Sequence, residues 1–336
     1  MKKILKICFI VFIIICGFCF LIYNNETIEL INSVTERCIY KVFPSLFCFM
    51  IVTSFLLDSG VCSRILLPIK PISKYVFGMD LEVFSAFVFS LFAGYPSGAN
   101  LVVKLYNSKK INEKQAKLYS ACFYCGGPAF IFGLYGNVIG KYVYISIISA
   151  NIVTVLILNN LLFRKYKSSN SKSYISVNAN TLINSINTSF VCLSKVCAMI
   201  VAFAFMSLPI KHIITNTSFY PFLEISNIAD IYIYPVLATA MFSLGGICVI
   251  MQVKMILNEL MDIPIFLTVR AINAIMSGII MSILQNLIPN SSIATMLTIQ
   301  TSKSYQYGIL PIIFCFIMSV LLLYETEKKI KIGTWF

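Results

Sequence analysis

The sequence predicts an all-α, polytopic integral membrane protein with about seven to eight transmembrane helices. Of its 336 residues, 59% are hydrophobic and only 12% are charged, whereas soluble domains average about 45–50% and about 25%. The apolar residues form long runs, and short clusters of lysine and arginine separate these runs. Cytoplasmic loops of membrane proteins carry such an excess of basic residues. The net charge of +13 therefore indicates basic loops and not a nucleic-acid-binding surface.

Residues 1–40 are predicted to form a membrane anchor and an outer loop. The run 4–22 is long enough to span a bilayer, and three lysines precede it. A cleaved signal peptide would have a shorter apolar core and small residues at the cleavage site. We therefore expect a retained anchor with a cytoplasmic N-terminus, and an outer side for the polar segment 24–40.

Residues 41–163 are predicted to form a first half. The run 42–57 returns through the membrane, and a basic, proline-containing stretch follows it on the cytoplasmic side. The apolar segment 81–106 breaks at 94–98, and four further lysines follow it closely. A simple crossing would place these lysines outside, against the positive-inside rule. We therefore predict a re-entrant hairpin over 81–106, with the break at its tip.

The first half ends with a second interruption. Residues 118–140 are predicted to be one broken span, interrupted at 125–128, and residues 142–163 return to the cytoplasmic side. The basic, serine- and asparagine-rich stretch 164–180 is predicted to be a cytoplasmic linker between two halves.

The second half, 181–324, is predicted to repeat this plan. After an outward span at 186–208, the segment 231–252 is interrupted at 243–246, and the loop after it is not basic. We expect a hairpin that enters from the outer side, followed by a span at 263–284 that crosses inward. A last span at 306–324 and a tail at 325–336 complete the chain. Two hairpins from opposite faces predict an inverted repeat with broken helices.

The breaks are the predicted solute site. An unpaired backbone group in hydrocarbon costs several kcal/mol, so a break must be buried in protein or face water. Helix N-termini there carry a partial positive charge that can hold an anionic or polar solute, and glycine permits a close approach. The predicted solute-binding residues are Gly94, Tyr95, Pro96, Ser97, Gly98, Asn100, Gly126, Gly127, Pro128, Gly245, Gly246, Gln252, Arg270 and Asn273.

Each of these features has a structural alternative. The breaks can be packing kinks, since glycine and proline are common in membrane helices. Arg270 lies within an apolar run, where charge is usually functional, or it snorkels to the interface. Ser97 and Asn100 bind solute or cap the helix that restarts. Gln252 faces the site or the outer water.

Motifs for catalysis and metal binding are absent from the sequence. It contains no dinucleotide fingerprint, P-loop, zinc-protease motif or nucleophile elbow, and its only histidine, His212, cannot support a triad. Cys122 and Cys125 form a CxxC pair, but no second pair or nearby histidine completes a metal site. We predict no enzyme activity, no cofactor and no metal.

The motifs also resemble a known family. A similarity to the nucleoside-recognition Gate domain rests on 94–99 (GYPSGA), the lysine-rich turn after it and 120–133 (SACFYCGGPAFIFG). More narrowly, over about residues 40–290, the chain resembles the sporulation integral membrane protein family of endospore-forming Firmicutes. The segment 243–254 (SLGGICVIMQVK) and Arg270 are similar to that family's glycine–glutamine motif and following arginine.

This resemblance implies hairpins and broken helices like those of concentrative nucleoside transporters. It implies a role in sporulation, in the mother-cell-derived membrane around the forespore, where the protein passes a small anion, dipicolinate, towards the spore. The expected partners are a small solute, the lipid bilayer, and a second copy of the chain or other sporulation membrane proteins. Two alternatives stay open: a structural or assembly protein without transport, and a nucleoside transporter.

Overall fold

The computed structural model describes residues 2–162, 177–213, 220–230 and 234–285. Within these ranges the regular elements are helical and no strand occurs, which confirms the predicted all-α class. The predicted last span 306–324, the tail 325–336 and most of the linker 164–180 lie outside the described residues. The α-helices are α1 (Lys2–Ile22), α2 (Asn24–Arg37), α3 (Phe43–Asp58), α4 (Val61–Ile65), α5 (Leu81–Ala93), α6 (Tyr95–Asn107), α7 (Glu113–Cys122), α8 (Pro128–Tyr135), α9 (Asn137–Leu162), α10 (Ala179–Ile213), α11 (Tyr220–Leu223), α12 (Pro235–Leu244), α13 (Ile247–Leu257) and α14 (Ile263–Leu284).

Four helical segments in the described ranges are long and apolar enough to cross a membrane. They are Ile139–Leu162, Ala179–Ile210, Pro235–Leu260 and Ile263–Leu284. A fifth results if Ile10–Ile22 and Asn24–Tyr40, which meet at 105°, count as one bent span. The sequence predicts seven to eight transmembrane helices. Part of the difference is that α3, the predicted span 42–57, has an apolar portion of only 13 residues, Leu46–Asp58.

The helix α14 shows why a lipid environment suits this fold. Its polar residues Arg270, Asn273 and Ser277 are each 0% exposed. Four of its isoleucines lie on the opposite side and are 47–65% exposed: Ile272, Ile275, Ile279 and Ile283. Water would favour the reverse distribution, whereas polar residues inside and apolar residues outside are expected of a membrane-embedded helix.

The helices α5 and α6 pack side by side as an antiparallel hairpin. At its open end, the Nζ atom of Lys110 lies 2.9 Å from an Oε atom of Glu82, which joins the start of α5 to the turn after α6. At its closed end the chain reverses at Gly94, whose φ of +89° favours glycine. The predicted turn at 94–98 is thus a single-residue reversal at Gly94.

The segment Pro235–Leu260 differs from the predicted hairpin. Its first helix, α12, runs antiparallel to α14, with Val236 next to Gly278 and Ser243 next to Arg270. The turn after α13, Asn258–Leu260, packs against α7, at the end of the molecule that carries the lysine-rich turn. The sequence places this loop on the outer face because it is not basic. Because acidic and neutral loops occur on either side of a membrane, this placement stays a prediction.

The predicted outer loop 24–40 is also ordered. Most of it is α2, and a π-helical turn, Cys38–Val42, joins it to α3. One face of α2 is buried against α10, and Nη1 of Arg37 donates a hydrogen bond to the carbonyl oxygen of Ser226 at 3.1 Å. The polar composition of α2, from which the sequence predicts a loop, reflects a helix with one buried face.

Candidate functional site

The first two breaks contact each other through their backbones. A Cβ on Gly127, in the break between α7 and α8, would lie 3.0 Å from the carbonyl oxygen of Phe92 and 3.4 Å from the nitrogen of Gly94. Both restarting helices have proline in their first turn, Pro96 in α6 and Pro128 in α8. Proline suits this position because its missing N–H would have no intrahelical acceptor there.

Gly98 lies at a second contact between these breaks and not in the cavity described below. A Cβ there would lie 1.8 Å from the carbonyl oxygen of Phe123. The sequence predicts a close approach of a solute to this glycine. The structure shows that the group that approaches it is the backbone of the second break.

The third break, at Gly245 and Gly246, leaves three carbonyl groups at the end of α12 without partners inside the helix. Each accepts a hydrogen bond from a side chain of another element. Tyr95 Oη donates to Phe242 O at 2.6 Å, Arg270 Nε donates to Ser243 O at 2.9 Å, and Tyr124 Oη donates to Leu244 O at 3.2 Å.

These donors connect the breaks to one another. Tyr95 follows the first break, Tyr124 lies in the second and Arg270 belongs to α14. The rings of Tyr95 and Tyr124 lie 4.5 Å apart between centroids. A Cβ on Gly245 would lie 1.6 Å from Tyr124 Oη, so only glycine leaves room for this hydroxyl. The three breaks therefore form one structural unit.

The side chain of Arg270 donates hydrogen bonds to the ends of two helices, α7 and α12. Besides Ser243, its Nη1 atom donates to Ala121 O, in the last turn of α7, at 3.1 Å and to Asn151 Oδ1 at 2.9 Å. Its guanidinium carbon lies 4.8 Å from the Tyr124 ring centroid. In the part of the chain that the structure describes, its partners are carbonyl, amide and hydroxyl oxygens. The partial negative charge at the ends of α7 and α12 offsets the buried positive charge.

An amide network surrounds Arg270. Ser243 Oγ donates to Asn273 Oδ1 at 2.9 Å. Asn273 Nδ2 donates to Asn151 Oδ1 and to Thr154 Oγ1, each at 3.0 Å. All four residues are at most 4% exposed. Because this network ties α9 and α14 to the third break, the predicted site residues Arg270 and Asn273 support the break and do not reach the cavity.

A small cavity of about 20 Å³ lies where the first residues of the restarting helices meet. Gly94, Tyr95 and Pro96 of the first break, Gly127 of the second and Gln252 of α13 are among the residues that line it. A cavity needs about 10–15 Å³ to hold one water molecule. This space is therefore large enough for a water molecule and far smaller than typical ligand pockets of about 300–1,000 Å³.

A buried carboxylate, Glu224, lies in the wall of this cavity and is 3% exposed. Its Oε1 accepts from the Ser226 nitrogen at 3.0 Å, and its Oε2 accepts from the Ser226 hydroxyl. No sequence motif pointed to Glu224, because this residue lies in the short segment between α11 and α12, outside every predicted span.

The structure separates the predicted site residues into three groups. Those that line the cavity are Gly94, Tyr95, Pro96, Gly127 and Gln252. Those that pack the breaks together or support their helices are Gly98, Gly126, Pro128, Gly245, Gly246, Arg270 and Asn273. Ser97 and Asn100 lie on α6, away from the cavity lining.

Ser97 and Asn100 differ in their partners. The Ser97 hydroxyl is buried and has no hydrogen-bond partner among the described residues, so it does not cap α6. Asn100 Nδ2 donates to Cys192 Sγ of α10 at 3.3 Å. Cys122 and Cys125 are both buried free thiols, and no group of three or more potential metal-binding side chains occurs within the described ranges.

Comparisons of the chain with protein-family models, with curated proteins and with solved structures find no match. The resemblance drawn from the sequence motifs therefore stays a prediction, and the geometry of the helix breaks is the basis for a functional proposal.

Proposed function

We propose that this chain is a membrane permease that binds a small polar solute where its helix breaks converge. The observation that carries the proposal is the shared cavity, to which Gly94, Gly127 and Gln252 contribute from three separate broken segments. Discontinuous helices whose first turns meet inside the membrane are the usual construction of solute sites in secondary transporters. Their N-termini provide partial positive charge without a charged side chain.

We further propose that the α5–α6 hairpin is re-entrant, with its open end at the lysine-rich face and its tip at the cavity. The ion pair between Glu82 and Lys110 at the open end and the buried Gly94 region at the closed end support this. The inverted repeat stays a prediction. Its second hairpin, at 231–252, overlaps a segment of crossing length, Pro235–Leu260, so any repeat has to relate a hairpin to a broken span.

The small volume of the cavity implies that solute entry requires a conformational change. We propose that the present arrangement is a closed state and that Tyr95 and Tyr124 form part of the closure. Their hydroxyls bind carbonyl groups at the end of α12. Movement of the hairpin tip and of the second break away from α12 would break these hydrogen bonds and enlarge the cavity, in the manner of alternating access.

The identity of the solute is proposed from two sources. The resemblance names dipicolinate and a role in the mother-cell-derived membrane around the forespore, and the helix N-termini suit an anion. The carboxylate of Glu224 in the cavity wall argues for a neutral polar solute instead, such as a nucleoside. A scaffold without transport is favoured by the tight packing of the breaks around the cavity.

Uptake into liposomes distinguishes these possibilities. Purified full-length protein is reconstituted and tested with radiolabelled dipicolinate and, separately, with uridine. We expect saturable uptake of one probe, and a reduction of roughly tenfold in Gln252→Leu, which removes a polar group from the cavity wall at similar volume. Gly133→Ala is the matched control, because nothing lies within 4 Å of the added Cβ and Gly133 does not line the cavity. Folded protein that transports neither probe would favour the scaffold.

A further inference from the structure

A second and much larger cavity, of about 700 Å³, lies between α3, α4, α5 and α6. It is at the open end of the α5–α6 hairpin, since Glu82 and Lys110 both line it. Its volume falls within the range of small-molecule sites, about 300–1,000 Å³. Nothing in the proposed solute pathway uses it, because the residues that line the two cavities are different.

The walls of this groove carry two balanced ion pairs. The Lys104 Nζ lies 2.6 Å from Asp58 Oδ1, and the Lys110 Nζ lies 2.9 Å from Glu82 Oε2. The four side chains are 19–37% exposed, so each is accessible from the groove while partly held by its partner. Because their side chains are partly exposed to solvent, such pairs contribute little to stability. A ligand that offers both charges can therefore replace them at little cost.

This balance selects for a particular ligand chemistry. A simple anion would be attracted by the two lysines and repelled by the two carboxylates. A simple cation would be attracted by the carboxylates and repelled by the lysines. A zwitterion satisfies both signs at once. Ser108, an exposed serine of the lining, donates its hydroxyl proton to the carbonyl oxygen of Lys104, so its own oxygen can accept from an ammonium group.

The position of the groove indicates where such a ligand comes from. Just beyond the lining residue Ser63, Ile65 at the end of α4 and Leu67 in the turn after it are 56% and 49% exposed. Exposed apolar residues beside a charged groove, at a face rich in lysine, are typical of the membrane interface. Acyl chains can lie along these residues while a headgroup enters the groove.

We propose that this groove binds a zwitterionic phospholipid headgroup of the phosphoethanolamine type, with its phosphate on Lys104 and Lys110 and its ammonium group on Asp58 and Glu82. The ammonium group is required because choline, which has no N–H, cannot donate hydrogen bonds to the carboxylates. This site is independent of the solute site at the helix breaks, and its test does not involve transport.

Lipid competition on the purified full-length protein tests the proposal. The protein in detergent receives equal amounts of phosphatidylethanolamine, phosphatidylcholine and phosphatidylglycerol with the same acyl chains, and bound lipid is counted by native mass spectrometry. We expect phosphatidylethanolamine to exceed each of the others about fivefold, from two charge contacts of modest strength. Equal occupancy of the three lipids on the wild-type protein would overturn the proposal.

Two variants and a soluble probe sharpen the result. Asp58→Asn combined with Glu82→Gln leaves a cationic groove, and the preference should change to phosphatidylglycerol. Glu113→Gln is the control, because Glu113 pairs with Lys117 at 2.5 Å on the same face but outside the groove. Competition by glycerophosphoethanolamine at the lipid's own concentration would identify a free zwitterion as the ligand, whereas no competition supports the lipid. Retention of the wild-type preference by the double variant contradicts the assignment of the ammonium site.

Discussion

Arg270 and Ser243, 27 residues apart on antiparallel helices, meet where α12 ends, and Nε of Arg270 donates a hydrogen bond to Ser243 O at 2.9 Å. The same guanidinium reaches Ala121 O in the last turn of α7. One buried cation thus satisfies two interrupted helices that would otherwise present bare carbonyl groups to the interior. The helix breaks are stable because the fold brings donors to them.

Replacement of Arg270 should therefore unfold the breaks. We expect Arg270→Met to lower the free energy of unfolding by on the order of 3 kcal/mol or more, because the acceptors Ala121 O, Ser243 O and Asn151 Oδ1 all lose a donor. Thermal unfolding of the purified protein in detergent measures the change. Thr268→Val, an exposed change on the same helix, is the control and should have little effect. Equal stability of the two variants would show that Arg270 is not needed for the fold.

The two tyrosines should act as a coupled pair. Tyr95→Phe and Tyr124→Phe each remove a hydroxyl from a carbonyl at the end of α12, and each should cost about 1–3 kcal/mol. Their rings are in contact, so the double variant should lose less than the sum. Tyr119→Phe is the reference, because its hydroxyl donates to Asn159 of α9 instead and its effect should add to that of Tyr95→Phe. Strict additivity of Tyr95 and Tyr124 would argue against a shared closure.

Gly98 provides a test of packing against solute contact. We expect Gly98→Ala to reduce the amount of folded protein strongly, because the added Cβ meets Phe123 O at 1.8 Å and backbone cannot easily move away. Gly133→Ala should be neutral or stabilise by up to about 1 kcal/mol, since it removes a helical glycine in open space. Immunoblotting of membranes measures the amount of each variant, and unfolding in detergent measures its stability. Normal folding of Gly98→Ala with loss of uptake would instead restore the solute-contact role predicted from the sequence.

The lysine-rich turn and the turn after α13 should label from the same side of the membrane. Ser108→Cys and Glu259→Cys lie at the two turns, and Tyr234→Cys lies at the opposite end of the segment Pro235–Leu260. A membrane-impermeant maleimide applied to right-side-out and inverted vesicles should give one pattern for the first two sites and the reverse for the third. The wild-type chain, with its native cysteines, sets the background. Opposite labelling of the first two sites would contradict this expectation and support the predicted outer hairpin at 231–252.

Local sequence determined the membrane class and the positions of the breaks. The excess of apolar residues makes lipid the preferred surroundings of most side chains, and glycine beside proline or a second glycine disfavours continuation of a helix. Gly94, Gly127–Pro128 and Gly245–Gly246 could therefore be found without a structure. The all-α fold and the interruption of α5–α6, α7–α8 and α12–α13 followed from these residues alone.

Only the tertiary structure decided which side chains bind the backbone groups that those breaks leave free. Tyr95 and its acceptor Phe242 are 147 residues apart, and Arg270 and Ala121 are 149 apart, so no local pattern could pair them. The antiparallel packing of α12 on α14 placed the turn after α13 beside α7, a position that counting charges in loops could not give. Glu224 reached the cavity from a short segment outside every apolar run. The physical reason is common to all three: interruption of a helix is a property of its own residues, whereas satisfaction of the freed backbone groups depends on which distant side chains the packing of the helices brings near.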